Sequence, residues 1–386
     1  MITTDAVRTR VRWLVRIAQL ANFVGPTSGG LKTALDALGR GYDESGAERL
    51  LIIPGPKDAM ITTPDGDVMQ LRAPVIAGGY RMIIEPWRVI KMLERFRPTS
   101  VELSDKLSLL PVGRWAKRTG VRSVLFSHER LDDMWATYTG LEGPALASIA
   151  VLDRLLVRSF DLVVVTSRYA QEEFQDLADA VGCPVERVRL GVDLETFRPG
   201  RSPDEESRTL RLVHSGRLSR EKAPGLAVAT AVELWRRGID VRLDVYGDGP
   251  ERAELVRAAA GAPVHFHGHV DGRAELSRRL GAADVALSVC PEETFGLAVL
   301  EALASGTPVV TASGGGAHEL VDAGCGAWGA PDPVSLADAV LQVAARPLRE
   351  RRAGARRRAE LYPWSATVQH MLQIHAVNAF RVTVGG

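Results

Sequence analysis

The sequence of 386 residues has little cysteine, no long apolar run and almost no net charge. Its three cysteines, Cys183, Cys290 and Cys325, are far apart and form no CxxC pair. An odd number of scattered cysteines argues against a disulfide framework and against a structural zinc site. We therefore expect a protein of a reducing compartment, and we place it in the cytoplasm.

No apolar stretch approaches the roughly 18 residues that a membrane-spanning helix needs. The N-terminus is rich in arginine, and a short apolar segment interrupted by Gln19 and Asn22 follows it. A signal peptide has an uninterrupted apolar centre, so we interpret residues 13–23 as a first β-strand. The arginines, Arg8, Arg10, Arg12 and Arg16, could touch an anionic membrane or could simply face water.

The charges are nearly balanced, with 48 lysines and arginines against 47 acidic residues. The sequence lacks a basic stripe with interleaved aromatic residues, so we expect no nucleic-acid partner. The composition is that of a soluble globular protein, and the length is too great for one ordinary core. Two domains are therefore predicted, whereas the oligomeric state is left open.

Short β-branched runs alternate with longer amphipathic segments along the chain, which predicts βαβ units and parallel sheets. Strands are predicted at 13–23, 48–53, 101–103, 121–127 and 161–166, and then at 210–214, 241–246, 264–267, 285–289 and 308–311. Helices are predicted at 30–39, 87–95, 109–117, 145–159 and 169–180, and then at 225–237, 250–259, 275–280, 296–304 and 317–323.

A polar segment with proline and glycine, 199–209, separates the two series and is interpreted as a linker. The prediction is an α/β protein with a Rossmann-like domain at 1–198, a second one at 210–363 and a C-terminal helix within 364–386. Doubly wound sheets bind ligands outside the carboxyl ends of their strands. Two such domains predict a site in the cleft between them.

Glu293 and Glu301 lie eight positions apart around a predicted helix start near Phe295. Glu293 is expected on the preceding loop and Glu301 inside the helix. The free amides of a helix N-terminus, here beside Gly296, form a ready anion site. Two carboxylates beside an anion site suit a ligand with a diphosphate and hydroxyl groups, such as a nucleotide sugar. The alternative is a polar helix start with two surface glutamates.

A cationic loop, Gly216-Arg217-Leu218-Ser219-Arg220-Glu221-Lys222, follows the predicted strand 210–214. Arg217 can bind two phosphate oxygens at once, and Lys222 can supply a point charge. The loop could also be a solvated turn, but its position at the carboxyl end of a strand favours phosphate binding.

Two features of the first half follow strands in the same way. Gly29 and Gly30 precede a helix and would let the backbone approach a phosphate or an acceptor, although a plain turn is the alternative. They do not form a dinucleotide-binding fingerprint. His128 follows strand 121–127. A lone histidine is usually structural, but at a strand end it could orient a hydroxyl and exchange a proton near neutral pH.

Taken together, these segments resemble the retaining glycosyltransferases of family 4, which have the GT-B fold and an E-x7-E motif. The resemblance rests on the cationic loop and on Glu293-Thr294-Phe295-Gly296-Leu297…Glu301, in the expected order with Gly191-Val192-Asp193, Gly247-Asp248-Gly249-Pro250 and Gly314-Gly315-Gly316…Glu319. It covers most of the second half. It implies two Rossmann-like domains facing a cleft, with the C-terminal helix crossing back to the first domain.

The resemblance also implies roles for individual residues. Arg217 and Lys222 would hold the donor diphosphate, Glu301 the ribose hydroxyls, and Glu293 the hydroxyls of the transferred sugar. His128 would contact that sugar, and it joins Glu293, Arg217 and Lys222 in the expected catalytic set. The remaining donor-binding residues would be Gly29, Gly30, Gly216, Gly247, His269, Val270, Phe295, Gly296 and Leu297. Members of the family often have glycine where Thr294 stands, so we expect its side chain to narrow the sugar pocket.

Asp65-Gly66-Asp67 has the D-x-D pattern that binds metal in the other common glycosyltransferase fold. It follows Pro64 in a strong turn sequence, and we predict a turn. Arg217 and Lys222 can neutralise a diphosphate without a metal, so neither a metal nor another cofactor is expected.

A narrower resemblance is to actinobacterial mannosyltransferases that use GDP-mannose and build phosphatidylinositol mannosides. Residues 22–35 and Ser127-His128-Glu129-Arg130 carry it. It implies a hydroxyl acceptor such as a glycolipid, and work at the inner face of the membrane. Segment 107–118 could dock on that surface, or could be an ordinary amphipathic helix. A UDP- or dTDP-sugar-dependent transferase acting on a soluble acceptor, a nucleotide-sugar epimerase and a non-catalytic binding protein remain alternatives.

Overall fold

The computed structural model describes residues 15–22, 24, 29–76, 80–130, 144–200 and 209–377, with only the backbone at 144–148. Several predictions fall outside these residues. They concern the arginines before position 15, residues 26–28 of the glycine loop, most of the linker and the end of the C-terminal segment.

The first sheet has eight strands in the order β3-β4-β2-β1-β5-β6-β7-β8. All neighbouring strands are parallel except β3 and β4, which form an antiparallel hairpin at one edge. The strands are β1 (Arg16–Leu20), β2 (Glu48–Gly55), β3 (Ala59–Thr63), β4 (Gly66–Arg72), β5 (Ser100–Leu103), β6 (Arg122–Ser127), β7 (Leu162–Val165) and β8 (Val185–Arg187).

The second sheet has six parallel strands in the order β11-β10-β9-β12-β13-β14. They are β9 (Leu210–Ser215), β10 (Val241–Tyr246), β11 (Val264–Gly268), β12 (Val285–Ser288), β13 (Val309–Ala312) and β14 (Gly326–Gly329). In both sheets the strand order reverses around the first strand of the domain, which is the arrangement that creates a ligand-binding crevice at the carboxyl ends.

Most of the helices connect successive strands, and the last three follow β14. They are α1 (Gly30–Glu44), α2 (Pro86–Phe96), α3 (Leu110–Thr119), α4 (Pro144–Ser159), α5 (Arg168–Glu172), α6 (Gln175–Asp179), α7 (Pro224–Arg236), α8 (Arg252–Ala258), α9 (Arg273–Gly281), α10 (Leu297–Ala304), α11 (Pro333–Ala344), α12 (Leu348–Ala359) and α13 (Trp364–Ala376). Short 3-10 turns cover Arg220–Lys222 and Ala317–Leu320.

The predicted α/β architecture of two parallel-sheet domains is confirmed, and each predicted strand has a counterpart. The sequence prediction lacked the β3–β4 hairpin, β8, β14, α11 and α12. It was also wrong in making 169–180 a single helix, because that segment contains the two short helices α5 and α6.

The turn predicted at Asp65-Gly66-Asp67 is confirmed, since it joins β3 to β4. The Asp67 carboxylate accepts a hydrogen bond of 2.9 Å from the Thr62 hydroxyl, and the Asp65 carboxylate lies 3.6 Å from Arg40. These carboxylates therefore have local structural partners.

The C-terminal helix α13 returns to the first domain, as the resemblance implied. The Thr367 hydroxyl donates a 2.9 Å hydrogen bond to the carbonyl of Arg189. Near the end of α13, the fully buried His375 contacts the Ser100 hydroxyl at 2.7 Å and the Glu102 carboxylate at 3.0 Å. One buried apolar cluster also continues from the first domain into the second, and it includes Phe126 and Val299.

Within the described residues, no helix is both long enough and apolar enough to cross a bilayer. The apolar side chains of segment 107–118, among them Leu109, Leu110 and Val112, are buried in the first domain. Only Leu107, 45 % exposed, offers a large apolar surface there. Burial of that face favours the ordinary amphipathic helix over the docking helix.

Candidate active site in the cleft between the sheets

The glycine loops of the second domain lie against each other at the carboxyl ends of β9 and β10. The Gly216 amide donates to the Tyr246 carbonyl at 3.0 Å, and the Gly247 amide donates to the Gly268 carbonyl at 2.7 Å. Gly247 has a φ of +137°, and a Cβ there would lie 1.9 Å from the Gly216 carbonyl oxygen. Only glycine permits this close approach of two backbones.

Lys222 and Glu293 form an ion pair of 2.8 Å. Lys222 ends the 3-10 turn after β9, and Glu293 lies on the loop between β12 and α10. Burial lowers the pKa of Lys222, but the Glu293 carboxylate outweighs burial and holds this pKa above its usual value. The lysine is therefore fully charged at neutral pH, in a position where a diphosphate could share it with the glutamate.

Arg217 reaches across the cleft to Tyr80 of the first domain. Its guanidinium donates a hydrogen bond to the Tyr80 hydroxyl and lies 5.5 Å from the centre of that ring. Arginine on an aromatic face keeps its planar donors oriented. Tyr80 was missed by the sequence reasoning, because nothing in its surroundings marks it as a cleft residue.

Glu301 lies within α10, where its side chain is only 14 % exposed. The Arg273 guanidinium, at the start of α9, donates to its carboxylate at 2.9 Å, donates to the Thr33 hydroxyl of α1 at 3.2 Å, and stacks 4.9 Å from the Phe197 ring. Burial raises the pKa of Glu301 to about 7, while Arg273 opposes that rise. Glu301 is therefore close to half-ionised at neutral pH.

The start of α10 faces the glycine loop of the first domain. Gly296 precedes the helix with a φ of +98°, in the left-handed region that favours glycine. A Cβ on Gly30 would lie 3.5 Å from the Leu297 side chain, whereas one on Gly29 would meet nothing within 4 Å. Phe295 is buried at 4 % exposure and anchors the loop. The predicted glycines and the predicted anion site are thus brought together across the cleft.

His128 follows β6 and stacks on Phe126, with 4.2 Å between the ring centres. Burial is the main cause that lowers the pKa of His128 to about 4; Glu102 opposes this shift, and Lys106 adds to it. This lowered pKa argues against proton exchange by His128 near neutral pH, and its contact with the transferred sugar stays a prediction. The ring is neutral at pH 7, and its Nε2 has no hydrogen-bond partner within the part of the chain that the structure describes.

The Thr294 side chain bonds to the first domain, while its predicted effect on the sugar pocket stays a prediction. Its hydroxyl donates a 2.7 Å hydrogen bond to the main-chain carbonyl of His128. Close by, the Glu319 carboxylate accepts hydrogen bonds from the amides of Arg168 and Tyr169 at 2.8 and 3.1 Å. These contacts form a seam between the domains beside the Glu293 loop.

His269 and Val270 follow β11, next to the Gly247–Gly268 contact. The His269 side chain is 78 % exposed, and its nearest charged neighbour is Asp271 at 3.9 Å. Val270 is partly buried against the core that the two domains share. Their role beside a base stays a prediction.

The cleft therefore collects the predicted residues of both domains and adds Arg273 and Tyr80, which sequence reasoning missed. The one signal for Arg273 is its position shortly after a predicted strand, at the same sheet edge as the cationic loop. Among the described residues, no group of three or more histidine, cysteine or acidic side chains could hold a metal ion. All three cysteines are buried and unpaired.

Comparison with known proteins fits this geometry. The Glycosyl transferase 4-like domain matches residues 29–192, and Glycosyl transferases group 1 matches residues 209–346. The chain is 40 % identical, over 93 % of its length and 95 % of the relative, to a GDP-mannose-dependent alpha-(1-6)-phosphatidylinositol dimannoside mannosyltransferase of Mycobacterium tuberculosis. It is 31 % identical, over 73 % of its length and 70 % of the relative, to a D-inositol 3-phosphate glycosyltransferase of Saccharomonospora viridis.

Among solved structures, a sucrose-phosphate synthase of Thermosynechococcus elongatus superposes with a TM-score of 0.77 at 21 % identity, covering 96 % of this chain and all of that one. That likeness establishes the shared fold. The chain is a glycosyltransferase with the GT-B fold, and it belongs to the group 1 family with the 4-like N-terminal domain.

Proposed function

We propose that this glycosyltransferase moves mannose from GDP-mannose to a hydroxyl of a lipid-linked acceptor, with retention of configuration. The observation that carries the proposal is the 40 % identity over 93 % of the chain to an enzyme named for that donor and for a phosphatidylinositol dimannoside acceptor. The identity extends through the first domain, where an acceptor would bind. Both donor and acceptor are therefore inferred together.

The charges of the cleft suit a nucleoside diphosphate donor. Negative charge builds on the diphosphate as the glycosidic bond breaks, and Arg217, Lys222 and the start of α10 would stabilise it electrostatically. Glu301 would accept hydrogen bonds from the ribose hydroxyls, and Glu293 from the sugar. Arg217 and Lys222 supply the positive charge that a metal supplies elsewhere, so we propose transfer without a bound metal.

Retention of configuration requires that the acceptor oxygen becomes bonded to the same face of the anomeric carbon that carried the diphosphate. A covalent intermediate needs a carboxylate free to attack the anomeric carbon. Glu293 is already paired with Lys222 at 2.8 Å, and Glu301 with Arg273 at 2.9 Å. We propose attack by the acceptor hydroxyl on the same face: the new carbon–oxygen bond forms as the bond to phosphate breaks, and the diphosphate takes the hydroxyl proton. A trapped glycosyl adduct on Glu293 would contradict this route.

A lipid acceptor implies a contact with the inner face of the membrane. The first domain exposes Trp87 by 62 % and Ile84 by 52 % around the start of α2. An exposed tryptophan beside an apolar side chain suits a bilayer interface. We propose that this surface touches the membrane. Loss of binding to anionic vesicles in Trp87→Ser would support the proposal, and unchanged binding would contradict it.

The donor is tested by measuring thermal stabilisation with GDP, UDP and dTDP and with their sugars. The proposal predicts the largest rise in melting temperature with GDP and GDP-mannose, because at equal concentration the ligand with the higher affinity stabilises the folded state more. Greater stabilisation by UDP would refute the donor. Arg217→Ala should weaken GDP binding, and unchanged affinity would refute the phosphate role. Consumption of the donor without an acceptor would indicate the epimerase.

A further inference from the structure

Thr294 directly follows Glu293, and its side chain crosses the cleft to the first domain. The Thr294 hydroxyl donates to the His128 carbonyl at 2.7 Å, although the two residues are 166 positions apart. A hydroxyl on a main-chain carbonyl at this distance is a well-formed hydrogen bond. Glycine at this position could not make it.

The main chain of Thr294 also accepts a hydrogen bond from the first domain. The Thr166 hydroxyl, directly after β7, donates to the Thr294 carbonyl at 3.4 Å. His128 directly follows β6, the strand that neighbours β7 in the first sheet. Thr294 therefore contacts the carboxyl ends of two adjacent strands of the opposite domain.

The neighbouring backbone leaves little freedom at this seam. The Gly316 amide donates to the Glu293 carbonyl at 2.6 Å, and a Cβ on Gly316 would lie 2.2 Å from the Thr294 carbonyl oxygen and 2.6 Å from the Ser167 hydroxyl. The loop that carries Glu293 therefore packs between Gly316 of its own domain and the first domain.

The ring of His128 makes few contacts of its own. Within the described residues, the ring stacks on Phe126 and its Nε2 makes no hydrogen bond. The Thr294 bond fixes the main chain of His128 relative to Glu293 and Lys222, which lie on the other side of the cleft.

We propose that Thr294 is a positioning residue for glycosyl transfer. When the domains are closed, the hydrogen bond from its hydroxyl fixes the position of His128 relative to Glu293. The proposal rests on the proposed function, in which Glu293 contacts the transferred sugar, and on the prediction that His128 contacts the same sugar. Thr294 itself bonds only to the main chain of His128 across the cleft, so its effect on transfer requires that the two domains are in contact.

Three variants separate the hydroxyl of Thr294 from the rest of its side chain, and a fourth variant is the control. Thr294→Val keeps the shape and removes the donor, Thr294→Ser keeps the donor, and Thr294→Gly removes both. Thr367→Val is the matched control, because the Thr367 hydroxyl also bonds a main-chain carbonyl, that of Arg189 at 2.9 Å, but lies on α13 away from the cleft. Each variant is compared for steady-state transfer and for GDP binding by titration.

The expected result is a loss of about threefold to tenfold in kcat for Thr294→Val, the factor that one neutral hydrogen bond contributes. GDP affinity should change less than twofold, because GDP lacks the sugar. Thr294→Ser should restore kcat to within about twofold, Thr294→Gly should lose at least as much as Thr294→Val, and Thr367→Val should keep the wild-type kcat. Equal kcat for Thr294→Val and wild type, or equal losses for the Ser and Val variants, would overturn the proposal.

Small-angle scattering at saturating GDP tests the closure without any assay of transfer. The radius of gyration should be larger for Thr294→Val than for wild type and Thr294→Ser. An unchanged radius would overturn the role in closure. If wild type transfers nothing from GDP-mannose, the proposed function fails, while the scattering comparison still decides whether Thr294 holds the domains together.

Discussion

The guanidinium of Arg273 joins the two domains at the Glu301 carboxylate. It lies 2.9 Å from Glu301 in the second domain and 3.2 Å from the Thr33 hydroxyl in the first. The residue proposed to bind ribose therefore already has a cationic partner that keeps part of its population ionised.

Arg273→Ala should weaken GDP binding about tenfold at pH 7, because Glu301 loses the charge that favours its ionised, hydrogen-bond-accepting form. Removing Arg273 leaves burial unopposed, so the pKa of Glu301 rises above 7 and the binding deficit should shrink between pH 7 and 9. Calorimetric titration with GDP at several pH values measures both effects. Arg279→Ala, on the same helix and paired with Glu275 at 2.6 Å, is the control. An equal loss in the control, or a deficit independent of pH, would contradict this role.

Glu301 also makes stability depend on pH. Its pKa is about 7 in the folded protein and near 4.5 when exposed, so the folded state binds more protons between these values. Its contribution to the free energy of unfolding is fully present below pH 4.5 and is lost as pH rises through 7. Relative to Glu301→Gln, wild type should lose about 3 kcal/mol over this range. Urea unfolding at pH 4.5, 6 and 7.5 measures the difference, which should instead stay constant if the carboxyl titrates normally.

His128 should change the free energy of unfolding with pH in the opposite direction to Glu301. Its pKa is about 4 in the folded protein and near 6.5 when exposed, so the unfolded state binds more protons between these values. Stability from the neutral ring is present above pH 6.5 and is lost as pH falls toward 4, by about 3 kcal/mol. His128→Gln should remove this acid sensitivity in denaturant titrations at pH 7, 5.5 and 4.5. A wild-type slope in the variant would show that another group causes it.

The anchor of α13 is a buried polar cluster. His375 contacts Glu102 at 3.0 Å, and the Glu102 carboxylate also accepts hydrogen bonds from Gln19 and Tyr42, both at 2.9 Å. His375→Ala leaves a buried carboxylate without one of its partners, and we expect a loss of about 3 kcal/mol in the free energy of unfolding. His370→Ala, on the same helix, removes a contact with Glu186 in which both side chains are more than a third exposed, and should cost less than about 1 kcal/mol. Similar losses in the free energy of unfolding from the two variants would refute the claim that His375 anchors α13.

The sequence predicts the part of the site that comes from local patterns. Glycines and cations directly after β-branched runs mark the carboxyl ends of strands, and this placed Arg217, Lys222 and Glu293 correctly in the cleft. Arg273 and Tyr80 were not predicted, because their partners Glu301 and Arg217 are distant in sequence and only the fold brings them together. The pKa of His128 likewise depends on burial, which a sequence does not display.

The missed elements have physical reasons as well. β3 is an edge strand with mostly exposed side chains, so it lacks the alternation that marks a half-buried strand. Helix α12 contains six arginines in twelve residues and reads as a solvated charged segment. Its Arg352 is nonetheless buried and donates to the carbonyl of Gly281 at 3.0 Å, so that an arginine lies where an apolar residue is expected.

The proposed reaction is tested by transfer from a labelled donor to extracted phosphatidylinositol mannosides, with the linkage of the product determined by NMR. We expect mannose to move from GDP-mannose to the lipid and the new bond to be α, the configuration of the donor. Transfer from UDP- or dTDP-sugars but not from GDP-mannose, or a β-linked product, would contradict it.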